Sequence, residues 1–142
     1  MTVKLSSKQI SKKLQRQLLP PLENADYKQI YGARRHESEK DIQTAILDYL
    51  TRCSAIAWAN RFTSGKFKVT DRAGTRWIQA GFVGAPDIIG MTTKGRFVAI
   101  ECKRPRGGVV STEQIAFLQC VRAGGGIGII ARSVDDVISA LR

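Results

Sequence analysis

The sequence predicts an α/β fold with element order α-β-β-β-α-β-α, and three observations predict it. Apolar runs too short for helices alternate with segments of helical period along residues 37–142. Short turns containing glycine join the middle strands, which makes those neighbours antiparallel. The last strand follows a helical segment, so a helical crossover reaches it.

Taken in order, Ser38 is the N-cap of a first helix running to about Arg52, with Glu39, Ile42, Ile46, Leu47 and Leu50 at helical spacing. Residues 55–62 read as the first strand. Residues 66–70 and 75–79 alternate apolar and polar around Asp71-Arg72-Ala73-Gly74, which is a hairpin signal. Gly81, Gly84 and Pro86 form a tight loop into Asp87, which opens a strand over 87–91. Lys94-Gly95 turns that strand into the apolar run 97–103. Ser111 caps a helix carrying Ile115, Phe117, Leu118 and Val121, which stops at Gly124-Gly125-Gly126. Residues 127–131 are a buried strand, and Ser133 caps a last helix with Val134, Val137, Ile138 and Leu141.

Chemistry concentrates at Pro86-Asp87 and, fourteen residues after Asp87, at Glu101-Cys102-Lys103. Side chains alternate along a strand, so Glu101 and Lys103 share a face and Cys102 takes the other. A carboxylate and an ammonium closing an apolar strand are costly to bury unless they pair or hold a metal. The hairpin at Lys94-Gly95 can bring Asp87 beside Glu101. Two carboxylates with a backbone carbonyl make an all-oxygen site of the kind Mg2+ or Mn2+ prefers. A lysine at its rim suits metal-assisted hydrolysis of a phosphodiester.

Composition agrees with a polyanionic partner. The 142 residues suffice for one domain, 43% are apolar, and 23 Lys and Arg against 12 Asp and Glu leave a net charge of +11. Nucleic acid therefore ranks ahead of a membrane surface. No run of eighteen apolar residues and no apolar leader segment occur. Cys53, Cys102 and Cys120 are odd in number and far apart, and read as reduced core residues of a cytoplasmic protein. A single His and no paired cysteines argue against zinc. Residues 1–36 differ from the rest: eight Lys or Arg face only Glu23 and Asp26. A helix over 6–19 ended by Pro20-Pro21 fits there. This basic extension reads as a solvated tail, a DNA-touching arm or a dimer clasp.

Four segments in this order, Glu39-Lys40-Asp41-Ile42-Gln43, Gly84-Ala85-Pro86-Asp87, Glu101-Cys102-Lys103 and Ser111-Thr112-Glu113-Gln114, resemble the VRR-NUC family of the PD-(D/E)xK nuclease superfamily. The resemblance covers roughly residues 37–141. It implies a restriction-endonuclease-like core, a central mixed sheet flanked by helices, and phosphodiester cleavage dependent on Mg2+ or Mn2+. It implies that Asp87, Glu101 and the backbone carbonyl of Cys102 are metal ligands and that Lys103 positions the attacking water. Glu39 matches the family's helical acid, bound to metal directly or through water, or is an ordinary first-turn Glu. Gln114 matches a glutamine that orients Lys103 or a water, or is a polar residue on an exposed helix face. Small stand-alone members, often from phages, resemble Holliday-junction resolvases and act as homodimers on branched DNA.

Arg61, Lys66, Lys68, Arg72, Arg76, Arg104 and Arg106 can line a phosphate track around these motifs. The competing expectations are a basic DNA-binding module without chemistry, and a nuclease acting on flaps, DNA ends or restriction-type sites.

Overall fold

The computed structural model describes residues 38–142, and the 1–36 extension with its expected 6–19 helix lies outside them. Three helices and six strands follow one another: α1 (Glu39–Arg52), β1 (Ile56–Arg61), β2 (Gly65–Asp71), β3 (Gly74–Ala80), β4 (Ile88–Thr92), β5 (Phe97–Cys102), α2 (Thr112–Ala123), β6 (Ile127–Ala131) and α3 (Val134–Ala140). Each helix starts where the sequence places a serine. Ser38, Ser111 and Ser133 all form capping boxes, with Asp41, Gln114 and Asp136 as the returning side chains.

Four strands form one mixed sheet in the order β1-β4-β5-β6. β1 and β5 flank β4 antiparallel, while β6 lies parallel to β5. The right amount of chain for that parallel crossover is supplied by α2. The sheet is buried on two sides. Ile42, Ile46 and Leu50 of α1 and Val137 and Ile138 of α3 meet Val98, Ile100 and Cys102 of β5 and Ile129 of β6 in one apolar cluster. On the opposite face α2 packs against β5 and β6, where a Cβ on Gly128 would stand 2.7 Å from the Leu118 carbonyl oxygen. Only a glycine admits that approach.

β2 and β3 stand apart as a two-stranded ladder rather than joining the sheet. The observed order is therefore α-β-β-β-β-β-α-β-α, with five strands before α2 where the expected order has three; the two extra strands are this hairpin. Of the apolar residues on α2, only Leu118 is buried, and Ile115 is 39% exposed. One expectation needs correction. Of the cysteines, only Cys102 belongs to the core. Cys53 is half-buried at the end of α1, and Cys120 is exposed on the outer side of α2.

Candidate active site at the end of β5

The β4–β5 register pairs Ile88 with Ile100 and Ile89 with Ala99. Continued by one residue, it sets Asp87 opposite Glu101. Like charges directly across a ladder are destabilising, so a fold gains nothing from them. Continued by a second residue, it sets Pro86 opposite Cys102. The Cys102 N–H donates to Asp87 Oδ2 at 2.8 Å, so this residue's backbone points toward the β4 side. Pro86 has no N–H to offer the carbonyl that points the same way. The Pro-Asp dipeptide thus presents a carboxylate and leaves a neighbouring carbonyl oxygen without a β4 donor.

Glu101 is 2% exposed. Its Oε1 accepts from Lys103 Nζ at 2.8 Å and from Gln114 Nε2 at 2.5 Å. Its Oε2 is buried and has no hydrogen-bond partner. Both donors converge on one oxygen and starve the other. Gln114 is held by its second role: its Oε1 accepts from the Ser111 N–H at 2.9 Å in the capping box. The amide is therefore fixed with its NH2 toward Glu101. Gln114 contacts the acid itself, not Lys103 as the resemblance allows.

Lys103 is 9% exposed and bridges Glu101 to Glu39, whose Oε1 is 3.6 Å from its Nζ. Glu39, half-exposed in the first turn of α1, is thereby brought into the group. The titration behaviour follows from this crowding. Burial, and secondarily the Asp87 charge, push Glu101 up from 4.5 to about 7 against the opposing pull of Lys103. Burial also raises Asp87, against the hydrogen bond from Cys102 and the Lys103 charge. For Lys103, burial alone would lower the value, but the hydrogen bond and charge of Glu101, then Glu39 and Asp87, hold it above the ordinary range. The Cys102 thiol is on the core face, and burial pushes it up beyond use as a nucleophile.

The loop into Asp87 is anchored from both sides. Phe82 packs at a tilt against Phe62 and Phe117, with ring centroids 5.9 and 4.9 Å apart. Gly84 takes a φ of +81°, and a Cβ there would lie 2.5 Å from the Glu113 carbonyl oxygen. Gly84 thus lets the loop press on the first turn of α2, one residue before Gln114. The loop after β5 is clamped by Arg132, whose guanidinium donates to the carbonyls of Arg104 and Gly108, each at 2.8 Å. Sequence reasoning passed over Arg132. The signal was the parallel β5–β6 pairing, which brings the ends of both strands to one edge.

The expected phosphate track is only partly assembled. Arg104 and Arg106 are exposed directly after Lys103, and Arg61 ends β1 across from Ile88. Lys66, Lys68, Arg72 and Arg76 are on the hairpin, which packs chiefly on itself. Arg76 is bound there to Asp71 at 2.5 Å. No family model matches this chain, and neither a curated protein nor a solved structure is significantly similar to it.

If the group is catalytic, Lys103→Ala is expected to lower turnover by about a hundredfold or more while leaving the far-UV dichroism native. If the variant instead unfolds, Lys103 serves as the counter-ion of two carboxylates and nothing else.

Proposed function

We propose that this protein is a metal-dependent, structure-selective DNA endonuclease of the PD-(D/E)xK type, similar to VRR-NUC nucleases. One observation carries the reading: Asp87, Glu101 and Lys103 converge on adjacent strands, and the innermost acid keeps a buried oxygen with no partner. A buried, unpartnered carboxylate oxygen is costly without a compensating charge. The mixed sheet and the α-β-β-β-α-β order around it support a restriction-endonuclease-like core.

The donor set fits a hard cation. Asp87, Glu101 and the carbonyl of Cys102 would hold Mg2+ or Mn2+, with water and substrate oxygens completing the shell, since Mg2+ keeps several waters. Among the described residues no group of three or more His, Cys, Asp or Glu side chains could hold a metal alone, so the carbonyl and water are required. When bound, the ion supplies positive charge to a phosphodiester and acidity to an attacking water. The chain's own residues do the rest. Lys103 holds a fixed ammonium beside the acids and is placed to orient that water and to offset charge on the phosphate. Gln114 fixes the rotamer of Glu101. Glu39 faces Lys103 from α1 and restrains its Nζ. Exposed Arg104 and Arg106 follow Lys103 and exposed Arg61 ends β1, so all three are candidates to bind flanking phosphates.

The test is a panel of labelled four-way, flap, nicked and linear duplexes incubated with Mg2+ or Mn2+. Paired symmetric nicks in the four-way junction are the expected result. Binding to every substrate with no cleavage of any would overturn the reading and leave a basic DNA-binding module. Two opposed nicks need two active sites, so we also infer a two-fold homodimer. Light scattering giving a monomer both free and on junction DNA would refute it. Among the described residues no helix is long and apolar enough to cross a membrane.

A further inference from the structure

The two faces of the β2–β3 hairpin are unlike. Directly paired residues of an antiparallel ladder share a face. The register therefore gathers Lys66, Lys68, Thr70, Thr75, Trp77 and Gln79 on one side. The other side holds Phe67, Val69 and Ile78, together with Arg76 and Asp71, which neutralise each other. On the first side stand two lysines, no acid, and an indole that is 67% exposed. Trp77 is directly opposite Lys68, and Lys66, Trp77 and Gln79 line one concavity. The ladder does not need this indole for its own packing, since most of the ring faces solvent.

A flat apolar ring beside two cations, with no carboxylate on that face of the ladder, is complementary to a nucleotide strand whose bases are unpaired. A base can stack on the indole while the lysines reach the flanking phosphates, and stacking of this kind tolerates any sequence. A duplex keeps its base faces covered and offers only phosphates. We propose that this face of the hairpin binds single-stranded DNA by stacking a base on Trp77, with Lys66 and Lys68 on the adjoining phosphates. The proposal deepens the nuclease reading, because it gives the unpaired part of a branched substrate a place to dock. It also gives Lys66 and Lys68 a role on an element that stands outside the four-stranded sheet.

The experiment measures anisotropy of labelled strands with the full chain in a metal chelator, so that no cleavage intervenes. Wild type is expected to bind oligo-dT about tenfold more tightly than Trp77→Ala does, while the affinities for blunt duplex stay within about twofold of each other. Trp77→Phe is expected to retain most of the binding, which separates loss of a ring from loss of the fold. An abasic strand of equal phosphate count should bind wild type only as well as oligo-dT binds Trp77→Ala. Joint replacement of Lys66→Gln and Lys68→Gln should make the slope of log affinity against log salt shallower by about 1.4. Equal loss of single-strand and duplex binding in Trp77→Ala, no loss at all, or full binding of the abasic strand would each overturn the proposal. Strand binding that depends on Trp77 in a protein that never cleaves would overturn the nuclease reading alone.

Discussion

Asp87→Asn and Glu101→Gln are each expected to reduce Mg2+-dependent cleavage by at least about a thousandfold while leaving DNA binding intact. Both substitutions preserve shape. Asn at position 87 still offers an oxygen to the Cys102 N–H, which now sits 2.8 Å from Asp87 Oδ2. Gln at position 101 still offers Oε1 to Lys103 and Gln114. What each removes is one negative charge from a site of two facing carboxylates. The electrostatic attraction for a divalent cation should fall in both, and a raised metal requirement should precede complete loss. DNA affinity depends on the excess of basic residues, which these changes do not reduce. Metal titrations of cleavage, alongside binding measured without metal, check both halves. Cleavage near the unmodified rate in either variant would remove the carboxylate pair from the chemistry.

Much of this site was legible in the sequence because it rests on short-range rules. Strand alternation put Glu101 and Lys103 on one face, and a turn at Lys94-Gly95 brought Asp87 to Glu101. Serine caps marked the start of every described helix. What failed depended on which surfaces meet. A cysteine in an apolar stretch is buried only if something covers it, and α2 meets the sheet through Leu118, so Cys120 remains outside. The separation of β2–β3 from the sheet had no local signal, since a hairpin reads the same wherever it docks. The role of Arg132 required knowing that β6 ends beside β5. The double use of Gln114, as cap and as donor to Glu101, combined a local motif with a contact thirteen residues away in the chain.

The same pair should leave a signature in the pH dependence of stability. An acid raised from 4.5 to about 7 in the folded state holds a proton that the unfolded chain has already released. Between those two values the folded state binds more protons, so stability falls as pH rises and levels off above about 7. Asp87 is raised as well and acts in the same direction. Lys103 does not oppose this, because it stays charged in both states across that window. Its raised value adds stability that is present below 10.5 and lost only as pH climbs through its folded value. The expected loss for metal-free protein between pH about 5 and about 8 is on the order of 3 kcal/mol, read as a falling Tm. Glu101→Gln should flatten that profile, since an amide has no proton to release in this range, while losing the charge that pairs with Lys103. Addition of Mg2+ or Mn2+ should raise the Tm of wild type at that pH and have little effect on the variant. A wild-type Tm that holds level across this range, with a Glu101→Gln profile of the same shape, would mean that the two carboxylates do not strain one another.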